Sequence, residues 1–196
     1  MNHNLITYVI VFFVLLMIIK IYRESSTFQL KCIISNVDGK SYCVRETNKI
    51  QLVADLLAET TNNMKRLVKY LGEKYPEREN VKRLVKNFNP RKVTETLPTS
   101  KYTAYSENKG EKIAFCTTTK KKGNKLIDKN TLMFVALHEL AHVASKSIGH
   151  TTEFWQNFKF LIENAKVINI YNPVDYKNKP TEYCGMTISD SPYFDL

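Results

Sequence analysis

Glycine and proline are scarce in this chain, six of each in 196 residues, and no internal repeat or low-complexity tract is present. That excludes a fibrous repeat and a largely disordered chain. Cysteine occurs only four times, at positions 32, 43, 116 and 184, and never as a CxxC pair. Such spacing does not describe a disulfide scaffold, so reduced thiols in a cytosol-facing domain are expected. A Cys32 to Cys43 bridge across a hairpin is the alternative if the domain faces an oxidising space. Acidic residues are also few, 19 against 29 Lys and Arg, which leaves a formal charge of +10. This charge would attract nucleic acid, anionic lipid or acidic proteins, but lysines spread over helices most often form a solvated face.

What is present is enough apolar sequence, 43%, to close a real core. The length allows one domain of ordinary size with something left over at the N-terminus. The leftover is plain: LITYVIVFFVLLMII, from Leu5 to Ile19, is unbroken by charge and continues past Lys20 to Ile21 and Tyr22. At about 1.5 Å per residue, such a run just crosses roughly 30 Å of hydrocarbon, with Lys20 snorkelling. A cleaved signal peptide would show basic residues before the run and a small-x-small site after it, and neither is found. Lys20, Arg23 and Lys31 all follow the run, so the positive-inside rule places the remainder in the cytosol.

Beyond the anchor, FQLKCIIS and KSYCVRE flank a VDG turn and read as a β-hairpin. From about Asn48 the period becomes helical, with Ile50, Val53, Leu57, Met64, Leu67 and Leu71 on one face. Asn48 and Gln51 form an apparent capping box, and Gly72 is the expected stop. A shorter helix runs from about Glu77 to Phe88. The stretches from Tyr102 to Ser106 and from Lys112 to Thr118 read as strands joined at Gly110, and a Lys-rich loop, KKKGNK, then leads to a helix beginning near Lys129.

That helix carries HELAHVASKSIGHTTEFW, which contains three of the four histidines. His138 and His142 lie one turn apart on one face, the spacing at which two imidazoles grip one metal ion. Glu139 falls to the side, where its carboxylate can hold a water molecule without ligating. A catalytic zinc needs a third protein ligand and a fourth position free. Gly149 is the expected helix stop, His150 follows it, and Thr151 or Thr152 caps the next helix. Phe154, Trp155, Phe158, Leu161 and Ile162 of that helix are expected beneath the metal site. Glu163 is the alternative third ligand and Glu182 a weaker one. Three neutral imidazoles leave the ion its full charge, which polarises a carbonyl and brings water towards a pKa of about 7. Glu139 then serves as general base in peptide hydrolysis. The metzincin pattern is excluded, because Ser145 and Ile148 stand where it requires glycine and histidine.

HELAH followed by GHTTEFW resembles the WLM and SprT-like metallopeptidases. The resemblance covers roughly Tyr102 to Ala165 and implies His138, His142 and His150 as zinc ligands, with Glu139 catalytic. Together with the N-terminal anchor and the tail, the chain looks most like membrane-anchored WLM-like proteins of large DNA viruses. The family includes proteases of DNA-crosslinked proteins, but an anchor does not fit that role. KIAFCTT stands where zincins place the strand beside the active-site helix, and an edge there binds extended substrate by backbone pairing. Cys116 within it reads as a core residue and not a nucleophile. Tyr183 or Tyr193 is a candidate oxyanion donor. Asp190 or Asp195 could cover the metal, although a tail lying on the domain surface is the plainer expectation.

The sequence therefore predicts an α+β, zincin-like domain with a small antiparallel sheet on the HExxH helix and one N-terminal transmembrane helix. Residues 1–24 form the anchor, 25–46 a hairpin and linker, and 47–196 the peptidase domain, with its core at about 100–170. The expected cofactor is one Zn2+ per chain. The expected partners are a protein or peptide substrate and a bilayer, of host or virion, held through residues 5–22. Nucleic acid is the less favoured partner, and the sequence sets no oligomeric state. The rival reading is a membrane-tethered basic binding module with a structural or non-catalytic metal.

Overall fold

The structure is a computed structural model that describes residues 3–25, 29–121, 123 and 125–195. Phe28 of the first hairpin, and Lys122 and Asn124 of the KKKGNK loop, lie outside these residues. The chain is mixed α+β. Helix α1 (His3–Glu24) is exposed along its whole apolar length, and its Asn4–Arg23 stretch is long and apolar enough to cross a membrane or to act as a signal sequence. Its apolar residues face all directions and not one stripe, and none of the described residues buries them.

The hairpin of β1 (Lys31–Ile34) and β2 (Ser41–Val44) is antiparallel, as the VDG turn predicts. It leads into α2 (Ile50–Lys74), whose buried stripe includes Val53, Leu57, Met64, Leu67 and Leu71. Two local expectations fail here. The N-cap is Lys49, with no side-chain cap, so Asn48 and Gln51 make no capping box. Gly72 is not a stop either, since the helix runs through it to Lys74. A Cβ at Gly72 would stand 3.2 Å from Val85 Cγ2, so the glycine allows α3 (Glu79–Asn87) to lie close against α2.

The central sheet contains β3 (Val93–Glu95), β4 (Ala104–Glu107) and β5 (Lys112–Phe115), in the order β3-β5-β4. It is mixed, which corrects the expected antiparallel sheet: β3 is parallel to β5, and only β4 with β5 is antiparallel. The chain leaves β3, crosses the end of the sheet and returns as the β4–β5 hairpin, so β4 becomes an edge. Glu95 of β3 ties the first hairpin to this sheet. It accepts from the Arg45 backbone N–H and Nε, both at 2.6 Å, and from Thr117 Oγ1 at 2.6 Å.

Helix α4 (Lys129–Ala144) carries the HELAH motif and is apolar nearly all round, so it is buried between α2, α3, β4 and α5 (Thr152–Val167). Asp128 caps it, accepting from Thr131 N at 2.9 Å. The tail returns with Tyr171 and Tyr176 fully buried against Phe134, then forms the hairpin β6 (Thr181–Tyr183) and β7 (Met186–Ile188).

The expected reduced thiols are not found. Cys32 and Cys43 face each other across the first hairpin in a disulfide, and Cys116 is bonded to Cys184 with a Cα separation of 6.0 Å. The second pair was hidden from spacing because 68 residues separate its partners and only the folded tail joins them.

Candidate metal centre

Successive turns of α4 place His138 and His142 side by side, with ring centroids 5.0 Å apart. The helix ends earlier than expected, at Ala144, where Ser145 takes an extended conformation and donates its hydroxyl to Ala141 O at 2.8 Å. Gly149 does not stop the helix; with a φ of 81° it turns the chain after the helix has ended. His150 thereby returns to the other two histidines. Its Nε2 lies 3.0 Å from His138 Nε2, and the ligand atoms of all three residues lie within 4.8 Å of one another. Three nitrogens so placed can hold one metal ion.

The surroundings keep the His138 and His142 rings neutral. Burial, reinforced by His142 and His150, pushes His138 down to about 3, and burial with the neighbouring His150 and Lys109 pushes His142 down to about 4. Phe154 and Phe158 form the floor, with Phe154 4.4 Å from the His142 ring centroid and 4.8 Å from that of His138. Trp155, expected beneath the site, is 45% exposed and stands on the rim beside His150. One step along the helix turns it out of the stripe that Phe154 and Phe158 bury.

Glu139 is only 4% exposed, and burial raises its carboxyl to about 8. Among the described residues no hydrogen-bond donor reaches its carboxylate, so this group is free to take up a proton. Tyr183 shares its environment: burial raises the phenol first, and the nearby Glu139 raises it further. The Tyr183 hydroxyl donates to Thr103 O at 3.1 Å. The hairpin that carries it is held by Cys184 N to Thr118 O at 3.0 Å, by Gly185 N to Thr119 O at 2.8 Å, and by the Cys116–Cys184 disulfide.

The turn that delivers His150 is fastened from two sides. Glu153, two residues beyond the Thr151 cap of α5, reaches back to accept from Lys146 N at 2.9 Å, Ser147 N at 3.0 Å and Ser147 Oγ at 2.8 Å. Those bonds pull its carboxyl down to about 2. Arg83 of α3 bridges Glu153 at 2.9 Å and Ala144 O at 2.8 Å. From the opposite side Lys109, in the β4–β5 turn, donates to Ser145 O at 3.0 Å and to Ser147 O. Burial lowers the Lys109 ammonium, while Glu153 draws it upward. These positioning residues were not legible beforehand; the one signal was an acidic residue just inside a capped helix.

The histidines and Glu139 open into a cleft of about 830 Å³, walled by Tyr102 to Ser106 of β4 and its lead-in, by Phe134, Val135 and Phe158, and by Tyr183, Met186 and Ile188 of the tail hairpin. Asp190 also lines it. Glu163 and Glu182 are exposed, and neither belongs to the histidine cluster. The Tyr193 hydroxyl accepts from Lys166, and Asp195 binds Lys177, so both are engaged away from the cleft.

Over 160 residues the chain is 37% identical to the uncharacterized protein R325 of Acanthamoeba polyphaga mimivirus, covering 80% of this chain and 81% of that protein. A shorter match, 40% identical over 85 residues, covers 42% of this chain and 50% of the uncharacterized protein 042R of Invertebrate iridescent virus 3. Another, 40% identical over 63 residues, covers 32% of this chain and 35% of the uncharacterized protein 136R of Invertebrate iridescent virus 6. No protein-family model matches the chain. No solved structure matches it. With four-fifths of both chains aligned at this identity, the chain belongs to the same family as the mimivirus protein R325, a family with relatives in other viruses.

Proposed function

We propose that this protein is a zinc metallopeptidase of zincin-like fold, tethered to a membrane by α1. The observation that carries the reading is the convergence of His138, His142 and His150 beside a buried Glu139 that has no hydrogen-bond donor among the described residues. Tetrahedral zinc with bonds of about 2.0–2.1 Å sets its nitrogens roughly 3.3 Å apart, so small side-chain rotations bring these three to that spacing. Three imidazoles without a nearby thiolate match a catalytic site and not a closed structural one. The resemblance of HELAH and GHTTEFW to WLM and SprT-like peptidases supports the same assignment.

A bound zinc ion supplies Lewis acidity, polarising a carbonyl and making water acidic near neutral pH. Glu139 takes the proton from the attacking water and delivers it to the leaving amine, a role suited to a carboxyl whose burial brings it near neutral pH. Phe154 and Phe158 exclude water beneath the histidines, and β4 offers a backbone edge along which an extended chain can lie. The two disulfides favour a domain on an oxidising side of the membrane, such as a virion or cell surface.

The test is metal content and hydrolysis of an unfolded protein by the purified full chain. One zinc per chain with cleavage, and retention of zinc without cleavage in Glu139→Gln, is the expected result. Absence of zinc from well-folded wild-type protein would overturn the assignment.

A further inference from the structure

The position of the cleft relative to α1 restricts what can reach it. Thr99 Oγ1 donates to the carbonyl of Arg23 at 2.6 Å, which docks the lead-in to β4 onto the last turn of the apolar helix. Tyr102, at one end of the cleft, is three residues further on. Extended chain covers at most about 3.6 Å per residue, so Tyr102 lies within about 15 Å of the end of α1, side chain included. Glu107, at the far end of β4, is eight residues from Thr99 and hence within roughly 30 Å. The whole strand beside the histidines is therefore close to the end of the apolar span.

The near end is also dressed for an interface. Lys20, Tyr22 and Arg23 end the helix, and Lys101 with the 66% exposed Tyr102 continues that surface. Tyrosine and lysine are the side chains that settle at the headgroup level, ring inward and charge outward. Met186, 49% exposed and 3.5 Å from Thr103 Oγ1, extends the apolar rim at the same end. Beyond it the outer edge of β4 has no strand partner among the described residues. An extended chain entering from the bilayer would meet this edge at once and run along it to His138, Glu139 and His142.

We infer that the substrate is the membrane-proximal, extended stem of a second protein anchored in the same bilayer, cut within about nine residues of its span. The inference rests on the anchored-hydrolase reading, and it adds a class of substrate and a place of cleavage. Tethering both proteins raises their effective concentration, and the short distance from α1 to β4 selects the segment that is reachable.

The experiment uses full-length protein in lipid vesicles. Tyr102→Trp in a Trp155→Phe background leaves one indole, at the near end of the cleft, and its quenching by lipids brominated high on the acyl chain reports contact with the bilayer. Single-span test proteins then carry one apolar cassette about 6 or about 30 residues from their span, and the same cassette is supplied as a soluble peptide. The expected result is a quenched indole and cleavage of the near cassette at least about tenfold faster than the far one. A flexible 20-residue insertion after Ser25 should abolish both the quenching and the preference. An unquenched indole overturns the proposal whatever the hydrolysis. Equal cutting of near and far cassettes overturns it and leaves the peptidase standing. Failure of the zinc-loaded protein to cut even the soluble peptide removes the hydrolase reading, and this proposal with it.

Discussion

Replacing Glu139 by glutamine should stabilise the metal-free domain at pH 8. Burial raises this carboxyl from an ordinary 4.5 to about 8, so in the folded state it binds a proton that the unfolded chain has released. A folded-state pKa above the unfolded one gives a contribution that is full below pH 4.5 and is lost as pH rises to about 8. With the side chain 4% exposed and no donor among the described residues, solvent offsets little of that loss. Integrated over the interval, Glu139 costs the metal-free fold on the order of 3–5 kcal/mol at pH 8. Glutamine has the same shape and no charge, so it removes this cost. The assay is urea unfolding of wild type and Glu139→Gln, both stripped with chelator, at pH 4.5 and pH 8. The two proteins should match at the lower pH and separate by several kcal/mol at the higher. Bound zinc should narrow the gap, because a neighbouring cation favours the ionised carboxylate. A difference equal at both pH values would mean that packing, not ionisation, distinguishes the two side chains, and the argument from burial would fail.

Other predictions concern the supports of the site. His150→Ala should abolish stoichiometric zinc binding whereas Glu163→Ala should not, measured by metal analysis after gel filtration. Glu153→Ala should weaken zinc roughly 10–100-fold in a chelator competition, because the turn that presents His150 loses three accepted hydrogen bonds; affinity within twofold of wild type would show that the turn holds without it. Glu95→Ala should cost about 3–5 kcal/mol by leaving the Arg45 charge unpaired, and Glu95→Leu with Arg45→Met should recover only part of that loss, because the Arg45 N–H and the Thr117 hydroxyl still lose their acceptor. In a Glu139→Gln background, which removes the opposing carboxyl, the metal-free domain should lose stability as pH falls below 6.5, by about 2 kcal/mol at pH 5 from His138. His138 is buried neutral, so the unfolded chain takes up its proton first. A flat profile between pH 7 and 5 would contradict the burial of the ring.

The sequence disclosed the elements in which one periodicity dominates. The motif helix, the capped helix after it, the amphipathic α2 and the β4–β5 hairpin all stand where their patterns put them, and with them His138, Glu139, His142 and His150. Strand β3 was missed because three residues, Val93 to Glu95, are too few to show alternation. The Cys116–Cys184 bond and the Tyr183 wall depend on where the aperiodic tail comes to rest, which no local pattern records. Lys109 and Glu153 act through backbone carbonyls and amides, and such partners leave no complementary residue type to search for. Even Gly72, a stop by local rule, proved to be a contact surface once α3 was in place.

The β4–β5 turn has a consequence for how this fold can vary. Asn108, Lys109 and Gly110 all have positive φ, and a Cβ at Gly110 would come within 2.8 Å of Val143 and 2.9 Å of Asn87 O. The same turn sends the Lys109 ammonium to the carbonyls that precede His150. Hairpin tips ordinarily tolerate insertion, and protein engineers choose them for tags and grafted loops. This tip behaves instead as a fastener of fixed length: one added residue would lift the ammonium from its carbonyls and loosen the turn to His150. A tag placed at residues 108–110 would therefore be expected to silence the site by displacing His150.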